Sequence, residues 1–322
     1  MKLNMIVSFI TRNSAERLRY SGITLHDVLN SSLQIPYKSI ILVDDSSAES
    51  KTIQVFREWC DAHNKELVVS NSRYSWNGRS TRATARQTAI DIFFENFKDD
   101  FLMFVDDDVI LRDGWWRWIE ENRVLEDDEV GEVWGINWDV ASARKGFLDL
   151  CCISFEKYLV KRFRERGGTH DTIYRREALK GISIPPELHV YEDAYIHFWI
   201  SRAGWKSVIN PIGVLHYPSG PPSGSASIEE IKESIRLAIK YGVYEGETLK
   251  KYSSSRLRRM IGYLSLTRPI LGFLPISLNL IRSKNLNRTG FMEICRQQYL
   301  KLWAKWQILK ASKTLRQIIR EP

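Results

Sequence analysis

Three consecutive carboxylates, Asp106, Asp107 and Asp108, directly follow an apolar run at residues 101–105. The run predicts a buried strand, because neither of its faces is polar. Side chains alternate along an extended chain, so we expect Asp106 and Asp108 to face one way and Asp107 the other. Two carboxylates at the carboxyl end of a strand suit a divalent cation with oxygen ligands. The alternative is a solvated turn with a capping Asp before Gly114.

Two further acid pairs occupy comparable positions. Asp44 and Asp45 end a second apolar run, at residues 39–43, and Glu192 and Asp193 begin a predicted amphipathic helix. A carboxylate within hydrogen-bond reach of a hydroxyl can take its proton, which makes the helix-start pair a candidate general base. The alternative for this pair is a favourable interaction with the helix dipole, which requires no function.

The elements that must position these acids alternate between strands and helices over the first 110 residues. Such alternation predicts an α/β fold with a doubly wound parallel sheet. The helix that begins at Arg82 places Arg82 and Arg86 one turn apart on one face. The other expected strands are at residues 5–10, 66–70, 130–138 and 213–216, and the other expected helices at 14–33, 51–63, 115–125 and 191–205, the last with Gly204 at its end. Residues 217–227 form a Pro, Gly and Ser loop typical of a mobile lid.

The formal charge of +8 is unevenly distributed. Residues 229–322 contain 19 Lys/Arg and 7 Asp/Glu, net +12, whereas residues 1–228 contain 28 and 32, net −4. An acidic body with a basic tail argues against a nucleic-acid-binding core and indicates a tail that meets an anionic surface. The four cysteines have no CxxC spacing, which indicates a reducing compartment and no structural zinc. The N-terminal apolar run lacks a small-residue cleavage site and predicts a strand, not a signal peptide.

The basic tail contains one largely apolar stretch, residues 260–281, which is interrupted by Arg268, Pro269 and Pro275. A membrane span requires about 20 mostly apolar residues, and a central arginine is penalised. Basic residues flank this stretch on both sides, and residues 297–319 predict a basic amphipathic helix with Trp303 and Trp306 placed for an interface. We therefore expect an anchor on the membrane surface and not a span. The alternative is packing on the catalytic domain or a second subunit.

Taken together, these segments resemble the GT-A fold family 2 glycosyltransferases, the inverting group that includes dolichyl-phosphate mannose synthases. The resemblance covers roughly residues 3–217 in the order of that family. It implies a GT-A catalytic domain over residues 1–227, with a Rossmann-like, mostly parallel sheet, and a helical membrane-surface extension over residues 228–322. The matching segments are Thr11-Arg12-Asn13, Val43-Asp44-Asp45-Ser46-Ser47, the helix from Arg82 to Ile90, Asp106-Asp107-Asp108, Tyr174-Arg175-Arg176-Glu177-Ala178-Leu179, Glu192-Asp193, Ala203-Gly204-Trp205 and His216.

The same resemblance implies a role for each candidate residue. Asp108 and His216 would hold Mn²⁺ or Mg²⁺, although His216 is equally well explained as a buried histidine at a strand end. Asp193 would be the base that takes the proton from the acceptor hydroxyl. The remaining implied contacts are Thr11, Arg12, Asp45, Arg82, Arg86, Asp106 and Asp107 with the nucleotide or donor sugar, and Glu192, Trp134 and Gly135 with the acceptor.

The resemblance favours transfer of a hexose to a hydroxyl of a glycan or lipid-linked glycan at the cytoplasmic side of a membrane. GDP-mannose is the first candidate donor, with UDP-sugars next. The Gln-x-x-Arg-Trp signature of processive synthases is absent from the sequence, which favours single addition. Alternatives are a dolichyl-phosphate sugar synthase, a non-catalytic nucleotide-sugar-binding protein, and a nucleotidyltransferase, for which the expected glycine-rich and lysine signature is missing.

Overall fold

The computed structural model describes residues 4–45, 50–139, 154–217, 228–244, 299–300, 302–304 and 306–307. Residues 218–227 of the lid predicted at 217–227, the apolar stretch at 260–281 and most of the predicted helix at 297–319 lie outside the described residues. The chain divides into two compact units, Met1–Ser142 with Glu156–Ser225, and Ala143–Phe155 with Ala226–Pro322.

The first unit is built on one sheet whose eight described strands follow the spatial order β3-β2-β1-β4-β7-β6-β8-β5. The first four strands in this order, β3, β2, β1 and β4, are mutually parallel. Strand β7 is antiparallel to both β4 and β6, β8 is parallel to β6, and β5 is antiparallel to β8. The predicted α/β fold with a mostly parallel sheet is thereby confirmed. The strands are β1 Met5–Thr11, β2 Ser39–Asp44, β3 Glu66–Ser70, β4 Phe101–Asp106, β5 Val109–Leu111, β6 Val130–Asp139, β7 Asp171–Arg175 and β8 Lys206–His216.

Helices cover both faces of this sheet, because its central strands are apolar on both sides. Alternate residues of β4 enter different core clusters: Met103 and Val105 pack on one face, and Leu102 and Phe104 on the other. The described helices are α1 Ser14–Arg17, α2 Leu25–Ser31, α3 Lys51–Ala62, α4 Arg82–Asn96, α5 Trp115–Glu121, α6 Phe155–Arg166, α7 Arg176–Leu179, α8 Glu192–Arg202 and, in the second unit, α9 Ile228–Lys240.

The single helix predicted at residues 14–33 is wrong, because the chain breaks into two short helices there. Gly22 adopts φ +80°, a left-handed conformation that interrupts a helix. The chain restarts at Thr24, whose side chain accepts from Asp27 N in a capping box. Asn13 is the N-cap of α1, but at φ 53° its side chain makes no capping hydrogen bond.

Strand β8 is longer than the predicted segment at residues 213–216, since it begins at Lys206. Gly213 at φ +64° lies so close to β6 that an added Cβ would be 1.9 Å from the carbonyl oxygen of Ile136. The glycine therefore permits a close backbone approach inside the strand, a feature that hides the strand from an apolar-run pattern.

In the second unit, Ile235 and Ile239 of α9 pack with Ala304. No helix among the described residues is long and apolar enough to cross a membrane. The assignment of residues 228–322 as a membrane-surface extension stays a prediction.

A buried ion pair connects α8 to the sheet. His197 of α8 contacts Glu132 Oε1 of β6 through Nδ1, and the two side chains are only 7% and 1% exposed. Burial acts to lower the pKa of His197, but the hydrogen bond and charge of Glu132 outweigh it, so the pKa lies above its ordinary value. The charged imidazole is therefore favoured in the folded protein.

We expect His197→Gln to reduce the free energy of unfolding most at low pH. Because the folded-state pKa exceeds the unfolded-state pKa, the contribution of the pair is complete below about pH 6.5 and is lost as the pH rises through the folded-state value. Urea unfolding of both proteins from about pH 5 to about pH 9 measures this. The exposed His26→Gln change is the matched control. A difference between wild type and His197→Gln that does not shrink with rising pH contradicts the ion pair.

Candidate active site

The acid triplet lies where β4 leaves the core. As the alternation of side chains predicts, Asp107 differs from its two neighbours: it is buried, whereas Asp106 and Asp108 are partly exposed. Asp107 is buried and accepts two hydrogen bonds from Arg17 Nη2 of α1, at 3.0 and 2.8 Å, and another from Ser14 Oγ. Burial raises the pKa of the Asp107 carboxyl, against the opposing charge of Arg17. The carboxylate therefore fastens the turn to α1, and its contact with a donor stays a prediction.

Asp108 and His216 lie close together because β5, which directly follows Asp108, pairs antiparallel with the end of β8. Val109 pairs with His216 in that register, and Tyr217 N donates to the Asp108 carbonyl at 2.8 Å. His216 Nε2 lies 3.5 Å from Asp108 Oδ2, and both side chains are partly exposed. A carboxylate oxygen and an imidazole nitrogen suit Mn²⁺ or Mg²⁺, Mn²⁺ accepting the nitrogen more readily.

The described residues contain no group of three or more His, Cys, Asp or Glu side chains that could hold a metal ion. The pair of Asp108 and His216 fits a cation that takes its other ligands from a bound diphosphate and from water, as substrate-bound Mg²⁺ commonly does. The assignment of Asp108 and His216 as metal ligands stays a prediction.

Arg86 joins the triplet to the helix-start acids. Its Nη2 donates to Asp106 Oδ1 at 3.1 Å and its Nε donates to Glu192 Oε1 at 3.4 Å, while the guanidinium lies 5.2 Å from the centroid of the Phe104 ring. Burial acts to raise the pKa of Asp106, but the charges of Arg86, His170 and Arg82 outweigh it and the pKa lies below its ordinary value. Asp106 is thereby kept ionised.

The two arginines of α4 differ in exposure. Arg86 is buried, with its guanidinium engaged by two carboxylates, whereas Arg82 is exposed. The charge of Arg82 nevertheless acts to lower the pKa of both Asp106 and Glu192, so Arg82 lies near the same acids. Of the two, Arg82 is better placed to meet an anionic ligand.

Glu192 and Asp193 also differ in their surroundings. Glu192 is buried, and burial together with the neighbouring charge of Asp193 raises its pKa even though Arg86 opposes the shift. Asp193 is partly exposed, and its Oδ1 accepts from Ala194 N at 2.8 Å. The accessible member of the pair is therefore the one predicted to be the base.

The second acid pair ends β2 at the same edge of the sheet. Buried Asp44 accepts from Thr11 Oγ1 at 2.9 Å and from Ser50 Oγ at 2.7 Å. Asp45, partly exposed, accepts from both the main chain and the hydroxyl of Ser72. The hydroxyl of Thr11 is thus engaged inside the protein, and the predicted nucleotide contacts of Thr11 and Asp45 stay predictions.

Arg12, also predicted to border the nucleotide, is exposed at the end of β1, where its guanidinium donates to Ser80 Oγ. Ser80 directly precedes the N-cap of α4, the helix of Arg82 and Arg86. The contact therefore brings the β1 end and the α4 start to one place.

The predicted acceptor residues Trp134 and Gly135 lie inside the first unit. Trp134 is 1% exposed, and its ring centroid is 4.0 Å from that of Phe163. Gly135 N donates to Asp171 Oδ1 at 3.1 Å, and an added Cβ at Gly135 would lie 1.9 Å from Asp171 Oδ2. Packing accounts for both residues, and their contact with an acceptor stays a prediction.

Sequence reasoning missed the buried residues that support this edge of the sheet. Asp171 accepts from Trp115 Nε1 at 2.7 Å and lies 3.1 Å from His170 Nε2, while the His170 carbonyl accepts from Asp106 N. The contacts of Asp171 with Trp115 and Gly135, like that of Arg17 with Asp107, join residues far apart in sequence. The only sequence signal was glycine at position 135, where a side chain would strike Asp171.

Comparison with known proteins gives likeness in structure only. No protein-family model matches the chain, and no curated protein matches it in sequence. A mannosyltransferase from Pyrobaculum calidifontis, solved with GDP-Man and Mn²⁺, superposes with a TM-score of 0.53 at 14% identity over 98% of this chain and 88% of its own. Residues 1–349 of TarS from S. aureus, solved with UDP-GlcNAc, superpose with a TM-score of 0.51 at 17% identity over 74% of this chain and 66% of its own.

These two proteins resemble the chain in the arrangement of strands and helices, and at such identities the likeness concerns the fold alone. The sequence resemblance and the structural likeness agree on the fold. The chain therefore has the GT-A fold of the nucleotide-sugar glycosyltransferases.

Proposed function

We propose that the protein is a metal-dependent, inverting family 2 glycosyltransferase that moves a hexose from a nucleotide sugar to a hydroxyl of a glycan or lipid-linked glycan. The observation that carries the proposal is the pairing of Arg86 with both Asp106 and Glu192. It brings the carboxylates expected to face the donor to the same place as those expected to face the acceptor. A transfer enzyme requires both sets within one site.

In the donor half, Asp108 and His216 would hold Mn²⁺ or Mg²⁺, and the cation would supply positive charge to offset the negative charge of a departing diphosphate. Exposed Arg82, whose charge acts on Asp106, adds a second positive charge to the donor half. Arg12 and Asp45, at neighbouring strand ends, border the nucleotide. GDP-mannose is the first candidate donor, supported by likeness to a mannosyltransferase over 98% of this chain, and UDP-sugars are second.

In the acceptor half, Asp193 takes the proton from the attacking hydroxyl, a contribution of about 10²- to 10⁴-fold. Attack in line with the departing diphosphate inverts the anomeric carbon, so a second carboxylate nucleophile is not required. Glu192 is occupied by Arg86 and holds the start of α8 in place. An assignment of Asp193 as a base suits a hydroxyl acceptor, since a lipid phosphate is already ionised and needs no base.

We expect Asp108→Ala to abolish the Mn²⁺-dependent part of donor binding, because the change removes the anionic ligand of the cation. Thermal unfolding with GDP-mannose and UDP-GlcNAc, each with and without Mn²⁺, measures this, since a ligand of the folded state raises the midpoint. Asp113→Ala removes an exposed acid a few residues further along the chain and is the matched control. A folded Asp108→Ala protein with an unchanged Mn²⁺-dependent shift would refute the metal assignment.

We expect Asp193→Asn to lower turnover by about 10²- to 10⁴-fold at an unchanged donor KM, because the amide keeps the shape but cannot accept the proton. Steady-state kinetics with the donor selected by thermal unfolding measures this. Glu229→Gln, at the start of α9, is the control for a helix-dipole role, which is worth about 0.3–1 kcal/mol of stability and no turnover. Near-normal turnover of folded Asp193→Asn would move the base elsewhere, or indicate a phosphate acceptor.

We further propose that residues 228–322 attach the enzyme peripherally to the cytoplasmic membrane surface. Lys232 lies 5.4 Å from the Tyr299 ring centroid and 5.6 Å from that of Trp303, which Arg236 also approaches at 5.3 Å. Trp306 is 62% exposed. Aromatic rings beside basic groups suit the interface of an anionic membrane, and the net charge of +12 over residues 229–322 adds to the attraction.

We expect the intact protein to bind vesicles with anionic lipids at low salt, and Trp306→Ala to bind them more weakly, because the exposed indole supplies apolar contact with the interface. Vesicle flotation measures the bound fraction. Tyr20→Ala removes an aromatic that is 69% exposed in the first unit and should leave binding unchanged. Failure of the intact protein to float with anionic vesicles would show that the tail packs on protein instead.

A further inference from the structure

Helix α8 carries Asp193 and is held to the rest of the first unit by two ion pairs. Glu192, in its first turn, pairs with Arg86, and His197, one turn further on, pairs with Glu132. Asp193 and His197 are four residues apart, so their side chains lie on the same face of the helix. The ion pair of His197 is therefore placed to control the turn that presents Asp193.

Three secondary-structure elements meet at one oxygen atom of the Glu132 carboxylate. Its Oε1 contacts His197 Nδ1 of α8 and accepts from Ser207 Oγ of β8, while Glu132 itself belongs to β6. The helix is thus fixed relative to two neighbouring strands, and its rotation about its own axis is restricted.

The backbone of Gly167 packs closely against the same turn. Gly167 adopts φ +73°, and an added Cβ there would lie 2.5 Å from His197 Cβ and 3.5 Å from the carbonyl oxygen of Asp193. A side chain at position 167 would push the helix away, so only glycine permits this approach. The turn between Asp193 and His197 therefore contacts both Glu132 and Gly167.

The ion pair of Glu132 and His197 has a high desolvation cost for a contact that holds a helix in place. Burying a carboxylate and an imidazolium costs solvation that their attraction does not fully return, and packed apolar side chains would serve stability equally well. Within the described part of the chain, Glu132 Oε2 also has no hydrogen-bond partner, which adds to the cost. Hydrogen bonds, unlike apolar contacts, fix the direction in which two side chains approach each other.

We propose that Glu132 and His197 are positioning residues that set the location of the Asp193 carboxylate relative to the acceptor hydroxyl. The inference rests on the proposed function. Proton transfer demands hydrogen-bond geometry, and a misplacement of about 1 Å costs about a hundredfold in rate.

The test replaces both partners together, in the double variant Glu132→Met/His197→Leu. Removing the two polar groups at once leaves no buried charge unpaired, so stability should stay near that of the wild type. We expect the kcat to fall about tenfold to a hundredfold while the KM for the donor is unchanged. The assay follows Mn²⁺-dependent release of nucleoside diphosphate from GDP-mannose or UDP-GlcNAc, whichever raises the thermal midpoint more, with methyl mannoside and water as hydroxyl acceptors.

Two further variants separate position from stability. Glu132→Gln keeps an oxygen that accepts from His197 and Ser207, and should retain most of the wild-type kcat. Ser32→Ala removes a buried hydroxyl that lies 2.6 Å from Tyr37 Oη, away from α8, and should lower the thermal midpoint without changing kcat. If the double variant does not fold, His197→Gln is measured in its place.

A wild-type kcat in the double variant, or in His197→Gln where that replaces it, overturns the positioning role. A loss confined to the donor KM does the same. If the wild type releases no nucleoside diphosphate from either donor, or if Asp193→Asn turns over normally, the proposed function fails and this inference fails with it. Low turnover of Asp193→Asn beside full turnover of the double variant overturns the positioning role alone.

Discussion

The site depends on one buried cation, the guanidinium of Arg86. It is 4% exposed, and two carboxylates from different parts of the chain share it. Burying a charge costs several kcal/mol unless partners compensate it, so loss of Arg86 would leave Glu192 buried without its cation. Because Asp106 ends β4 and Glu192 begins α8, the same cation sets the distance between strand and helix. A lysine could not replace it, since one ammonium lacks the planar fork that reaches both acids.

Most of the sheet follows from the sequence because its central strands are buried on both faces. Runs such as residues 39–43 and 101–105 have no polar face, and they form the strands the pattern predicts. The errors have local causes. The predicted helix over residues 14–33 breaks at Gly22, which has a positive φ. The spacing of the apolar residues continues across this position, so the pattern alone does not indicate the break. The start of β8 was missed because Asn210, Pro211 and Gly213 interrupt its apolar run.

The candidate site was predictable only in part, because local pattern and distant partners contribute differently to it. The acid triplet and the helix-start pair are visible in sequence as acids that adjoin an apolar run or begin a helix. The partner of the triplet is not, since Arg17 contacts Asp107 across 90 positions, and the same holds for the supporting pair His197 and Glu132, which are 65 positions apart. A buried charge inside a strand contradicts the apolar pattern, so Glu132 carries no signal that sequence alone could interpret.

The three acid pairs share one physical arrangement. In each, the first acid at the turn or helix start is buried and bonded within the protein, and the acid that follows it is partly exposed: Asp44 and Asp45, Asp107 and Asp108, Glu192 and Asp193. Adjacent side chains point in different directions both in extended chain and around a helix, which allows a buried acid to have an exposed neighbour. The internal bonds of the first acid then fix the direction of the second. Each pair therefore combines a buried acid that is bonded within the protein with an acid that solvent can reach.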